Sequence, residues 1–564
     1  PAWTPSTEAH SWFPHEAYDT GYPGTPSAWP AERILLHFLD AGVPEGRFAF
    51  KFDARTIRLV EEIIQQINNR DRARALALSE KFLILGHDSV KLRLMLTDHY
   101  KWADQLAGAR LLLEGLSTSV PIENFWINYH KADIAKRASD LKVAGEWLEA
   151  ASEFERDSFW VEGECEQLSR REFSEAEKLA RASAENGDTE RAQKMLDAAI
   201  ASASDRMRPY GGNTRSFSRP PRTNIPTEKR PLRVGLLADL FLPQCKLYRV
   251  DQKLEQLRNA GIEVELYDFR KESKRAFEEA GLFDLWVFYR VPALFDVLRV
   301  IDMANRLGKP TFYEIDDLLF DPAHFPEPLS AYDQSVSKQE YVGLQLATSY
   351  TSGAAKLCEF GIASTPSLSE QLAKLVRSGR VVTHRNALSS PHMQAIGHLS
   401  KNSNSKQPGS RLRLFYGSGT KAHKDFLQDT LFAAVGDVMD KFPHVEFHTI
   451  GHVDAPALKS RFATRIVQSE PIWNVQDYWA HLNLADINVS ALKRILLTDC
   501  KSEIKWLEAA MLGVPSVVSA TQTMAETITE GETGLLARTR EEWSEKLTLL
   551  VEDASLRASI GNQA

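Results

Sequence analysis

Residues 500–519 read CKSEIKWLEAAMLGVPSVVS: a polar turn, an amphipathic helix, then a buried strand. Gly513 can end the helix and Pro515 cannot continue it, so the valine-rich SVVS starts a new element. The opening turn carries Lys501, Ser502, Glu503 and Lys505, more charge than a helix start requires. A helix delivering the chain into a fully apolar strand is one link of a parallel sheet covered on both faces.

The same alternation extends in both directions. LRLFYGSGT, VEFHTIG, TRIVQSE, ADINVSAL, PSVVSA and TGLLAR read as strands between helices over residues 412–564. Upstream, LRVGLLADLF, EVELYDF, LFDLWVFYR and PTFYEIDD do so over residues 232–395. The polar SKNSNSKQPGSR separates the two runs, giving an interdomain linker at 396–411. Two Rossmann-like sheets in tandem place the expected ligand site in the crevice at their carboxyl ends.

The first part of the chain differs. After an irregular segment (1–30), residues 31–205 read as successive helices, with apolar residues three and four apart in RTIRLVEEIIQQINN and TERAQKMLDAAIASA. Segments beginning at Asp71, Asp104 and Leu141 set small residues against leucines at a spacing that suits stacked helix hairpins, so this half resembles tetratricopeptide repeats. Residues 37–47, HFLDAGVPEGR, resemble a short helical element found beside bacterial polysaccharide glycosyltransferases, or form a helix closed by Gly42 and a turn. A Pro-, Gly- and Arg-rich linker occupies 206–231.

A length of 564 residues calls for about three to four domains. The net charge of −8 gives no basis for nucleic acid binding. Four widely spaced cysteines, Cys165, Cys245, Cys358 and Cys500, form no metal or disulfide framework and fit a reduced cytoplasmic protein. No apolar run is long enough to span a bilayer, so any contact with the inner membrane is expected to be peripheral.

Glu508, Ala509, Gly513, Pro515, Gly531, Gly534 and Leu535 carry a family resemblance. Together with the tandem sheets they resemble a GT-B glycosyltransferase of the group 1 (family 4) kind, over residues 232–564. The family's Glu-x7-Glu pattern is broken, because Cys500 stands where the first glutamate belongs. Lys501, Ser502, Lys505 and Glu508 instead resemble a Lys-Ser-x-x-Lys-x-x-Glu subgroup among transferases that build bacterial surface polysaccharides.

The expected fold class is therefore α/β GT-B preceded by an all-α region, with an acceptor domain at 232–395 and a nucleotide-sugar domain at 412–564. A helix beginning near Ser502 would hold the donor diphosphate, with Lys501 and Lys505 adding charge. The resemblance gives Glu508 to the ribose hydroxyls. Gly417, Ser418 and Gly419 form a glycine-rich turn suited to phosphate, followed by His423 and Lys424 as candidate contacts. After the first strand, Lys246, Tyr248 and Arg249 either hold acceptor or donor phosphate or make an ordinary helix start. Asp316 and Asp317 bind the acceptor, act as base, or cap a helix.

The resemblance implies sugar transfer from a UDP-, GDP- or dTDP-linked donor to a glycan or lipid-linked glycan acceptor, with retention at the anomeric carbon and no bound metal or cofactor. The helical half would dock the acceptor or a protein partner. Two alternatives stand beside this: protein O-glycosylation, and a scaffold that has lost activity.

Overall fold

The computed structural model describes residues 54–84, 89–154, 159–206, 230–332, 335–401, 411–418, 426–453 and 455–564. The HFLDAGVPEGR element, the first segment and nearly all of the 206–231 linker lie outside these residues. The described residues form two compact units, one ending at Glu172 and the other beginning at Phe173.

The first unit is helical. Its helices pair as Ala54–Asn68 with Arg72–Ile84, Val90–Trp102 with Leu106–Leu113, and Pro121–Arg137 with Leu141–Ser152. The second helix of each pair begins at 72, 106 and 141, which is the hairpin spacing expected from sequence. The tight turns need left-handed residues, supplied by Asp104 (φ 58°) and Ser139 (φ 64°). Asp140 caps the helix that follows by accepting from the Val143 N–H at 3.2 Å. Small residues let the partners close: Ala132, Ala135 and Ala144 pack with Phe125, Leu141 and Leu148.

The second unit holds both sheets, and it also takes in the end of the helical half. Leu196, Ile200 and Ala203 of helix Thr189–Arg206 share a core with Ala293, Leu346 and Ala354. Gln193 donates to the Gln345 carbonyl and to Thr348, both at 3.0 Å, and the Tyr350 hydroxyl donates to Glu177 at 2.6 Å. These last helical turns thus form part of the cover of the first sheet.

That sheet consists of β1 (Arg233–Ala238), β2 (Glu263–Asp268), β3 (Leu285–Tyr289), β4 (Thr311–Ile315), β5 (Phe360–Ala363) and β6 (Val381–Thr383), ordered β2-β1-β3-β4-β5-β6. The second consists of β7 (Leu412–Ser418), β8 (Val445–Gly451), β9 (Ile466–Ser469), β10 (Ile487–Ser490), β11 (Ser516–Ser519) and β12 (Leu535–Ala537), ordered β12-β11-β10-β7-β8-β9. All their pairings are parallel. These are the two Rossmann-like domains expected from sequence. Among the described residues no helix is long and apolar enough to cross a membrane.

In each domain the helix after the first strand contains a wide π turn, Lys246–Asp251 in one and Leu427–Phe432 in the other. The inserted residue lets Tyr248, Arg249 and Val250 all be buried in succession, which a regular α turn at a surface does not. Gly513, at φ 68°, ends helix Ile504–Ala510 and turns the chain into β11.

Candidate functional site

The expected residues on either side of the crevice meet at Glu508. This carboxylate is 1% exposed, and its Oε1 accepts from the Tyr248 hydroxyl of the first domain and the Trp479 indole of the second, both at 3.0 Å. Behind Tyr248 stands His392, whose Nε2 lies 3.0 Å from the Tyr248 oxygen. The Ser389 N–H donates to His392 Nδ1 at 3.2 Å, so Nε2 carries the proton and donates to Tyr248. A directed chain therefore runs from Ser389 through His392 and Tyr248 to Glu508.

Oε2 of Glu508 is buried without a hydrogen-bond partner. Burial pushes the Glu508 carboxyl up to about 7, against the pull of Trp479, Tyr248 and Lys505. A folded-state value above the unfolded one means that ionising Glu508 destabilises the fold. Stability from this group is complete below about pH 4 and is lost as pH rises through 7. Glu508→Gln is accordingly expected to gain about 2–3 kcal/mol relative to wild type between pH 5 and pH 8. Urea denaturation of both proteins across that range measures the gain as a slope, free of any constant cost of the amide. A flat difference would contradict it.

Lys505 lies against the same pocket. Its ammonium donates to the Gly417 carbonyl and sits 5.2 Å from the centre of the Tyr416 ring. Burial first, and then Lys501, bring it down to about 8. Gly417 is the penultimate residue of β7, where a Cβ would run into the Tyr478 hydroxyl, so a side chain there would displace that ring. Ser418 is the last residue of β7 and is buried. Gly419, His423 and Lys424 lie outside the described residues.

A second cluster spans the crevice beside the first. Lys501 reaches Asp317 at 3.2 Å, and Arg290 reaches Asp316 at 3.0 Å and Asp317 at 3.5 Å. Burial tends to raise the Asp317 carboxyl, but Lys501 and Arg290 hold it below the usual carboxylate range. Asp317 in turn raises the Lys501 ammonium. The capping alternative for Asp316 and Asp317 fails, because β4 runs into a bend and the next helical turn starts only at Leu329. Among the described residues no three His, Cys, Asp or Glu side chains group to hold a metal.

Other expected residues are placed differently. Arg249 is buried and turned inward: it donates to Glu314 at 2.6 and 3.0 Å, to the His384 carbonyl at 2.7 Å and to Asn386 at 3.1 Å. It braces β4 against the segment joining the domains and does not face the crevice, as either a phosphate contact or a catalytic role there requires. Lys246 pairs with Asp251 at 2.6 Å, both side chains partly exposed. The helix expected near Ser502 begins at Ile504 and has seven residues. Ser502 accepts from Asn386 at 2.9 Å, and Glu503 occupies the cap position.

Cys500 explains the broken acid pattern. It is fully buried, its carbonyl accepts from Thr365 at 3.1 Å, and it joins the apolar core containing Leu368, Leu372 and Leu497. Burial pushes its thiol up to about 12. Neighbouring Asp499 accepts from the Gln522 N–H at 2.8 Å, so it does not substitute for the missing acid.

Sequence reasoning missed Arg290, Glu314, Trp479 and His392. Only Glu314 left a signal, a lone charge within the otherwise apolar strand TFYEI.

Residues 412–553 match the family model of the group 1 glycosyl transferases. The resemblance carried by Glu508, Gly513 and Pro515 is thereby shown for the second sheet domain, and the chain carries a glycosyltransferase domain. No curated protein matches the sequence. Similar solved structures include a sucrose-phosphate synthase from Thermosynechococcus elongatus, 11% identical, covering 59% of this chain and 92% of that one with a TM-score of 0.38. Anabaena HepE in complex with UDP is 13% identical over 59% and 93%, with a TM-score of 0.38. The O-GlcNAc transferase of Thermobaculum terrenum is 13% identical over 91% and 93%, with a TM-score of 0.35.

Proposed function

We propose that this glycosyltransferase moves a sugar from a nucleotide-sugar donor to a hydroxyl of a bacterial surface glycan. The observation that carries the donor reading is Glu508, whose buried Oε2 lacks a partner within a segment of the transferase family. A ribose hydroxyl is the donor this oxygen asks for, and Lys505 beside it supplies charge for the diphosphate. In this reading Tyr248 yields its bond to Glu508, or shares it, when the nucleotide enters. Asp316, at the carboxyl end of the first sheet, faces the acceptor. Catalysis rests on positioning the acceptor hydroxyl and stabilising the leaving diphosphate. The Lys-Ser-x-x-Lys-x-x-Glu resemblance supports a polysaccharide acceptor. The regular helix hairpins favour a second reading, in which the acceptor is a polypeptide.

Thermal shifts with UDP, GDP and dTDP test the donor reading. One of them is expected to raise the melting temperature, with Glu508→Ala weakening that nucleotide about tenfold. A wild-type protein indifferent to all three would sink the proposal. Transfer assays with glycan and peptide acceptors separate the two acceptor readings.

A further inference from the structure

The cluster of Arg290, Asp316, Asp317 and Lys501 has two cations and two carboxylates, with Lys501 alone contributed from across the crevice. Asp317 and Arg290 come from the carboxyl ends of β4 and β3, whereas Lys501 precedes helix Ile504–Ala510 of the other domain. Lys501 and Asp317 are 29% and 27% exposed, so the pair is largely withdrawn from water but opens onto the crevice. Arg290 is held there by its backbone. It stands at φ 54°, a left-handed conformation that a non-glycine residue adopts at a cost, and its N–H donates to the Glu314 carbonyl at 2.8 Å. The strained backbone aims the guanidinium at Asp316 and Asp317.

We infer that Asp317 is a stand-in anion: it occupies the side of Lys501 that a nucleoside diphosphate claims on binding. This rests on the donor reading above and adds a residue of the opposite domain to it. The incoming phosphate oxygens compete with Asp317 for the Lys501 ammonium. Arg290 keeps the displaced carboxylate paired, because it already contacts both aspartates. Exchange of one anion for another at Lys501 then costs little desolvation, and it breaks an ion pair that ties the two domains together. Asp317 is a positioning residue in this scheme. It lowers nucleotide affinity while keeping Lys501 in place.

Isothermal titration of UDP, GDP and dTDP into wild type, Asp317→Asn, Lys501→Ala and the double variant tests this. Asp317→Asn is expected to bind the preferred nucleotide about fivefold more tightly. In the Lys501→Ala background the same substitution should gain less than about twofold, since only the general loss of negative charge remains. Asp316→Asn, at a carboxylate that pairs with Arg290 and not directly with Lys501, should change affinity less than Asp317→Asn. Unchanged or weaker binding by Asp317→Asn, or an equal gain with and without Lys501, overturns the inference while leaving the donor reading intact. Absence of binding by wild type and all variants overturns both.

Discussion

Glu314→Ala is expected to cost about 3–5 kcal/mol of folding stability, a large share of what holds a domain together. Glu314 is fully buried in β4, and two cations meet it there: Arg249 at 2.6 Å and Lys253 at 3.0 Å. Arg249 is 1% exposed and cannot reach water when its anion is removed. Its remaining partners, the His384 carbonyl and Asn386, are neutral. Lys253 has a way out. Burial already lowers its ammonium, with Arg249 adding to the effect and Glu314 opposing it. Without Glu314 its folded-state value falls further below the unfolded one, so the variant should recover stability as pH rises towards 10. Urea denaturation at pH 7 and pH 9.5 measures both effects. A variant within about 1 kcal/mol of wild type at pH 7 would show that the triad is not a buried charge balance. Replacing all three residues by leucine or methionine should restore much of the loss, because it is the unpaired charges that are costly.

The triad also shows where sequence reading runs out. All ten strands read individually from sequence are present, and the central ones were plainest because a strand buried on both faces cannot hide its composition. Glu508 was legible because the Gly513–Pro515 turn and the strand after it fix its place on a short helix. Tyr248 and Arg249 are adjacent in sequence and were given related tasks, yet one reaches the other domain and one turns back under its own sheet. The π turn that separates them has no signature in KLYRVD. Asp317 and Lys501 are 184 residues apart, and each was recognised alone. Their pairing depends on how two sheets face each other, which local periodicity does not encode. Trp479 and His392 belong to helices whose apolar faces look ordinary, so their polar atoms carried no advance notice of Glu508 and Tyr248.

Cys500→Glu restores the Glu-x7-Glu spacing to Glu508, and it is expected to lose about 3–5 kcal/mol of stability without gaining transfer activity. The thiol is completely buried where helix Leu496–Asp499 packs on helix Pro366–Ala373. A glutamate brings more atoms than this core admits, together with a charge placed among apolar side chains. The carboxylates Asp499, Asp317, Glu370 and Asp321 already act against negative charge at position 500. A carboxylate added there would be driven to its neutral form, so the variant should be least unstable at low pH and weaken as pH rises. Cys500→Ala removes the sulfur without adding charge and should cost only about 1 kcal/mol. Comparing the two by denaturation separates volume from charge. A Cys500→Glu protein as stable as wild type would mean that the new side chain escapes to the crevice, where a family acid could act. The buried outcome means that this chain has given the first acid's position to the core between its domains, leaving Glu508 as the one acid of that pattern.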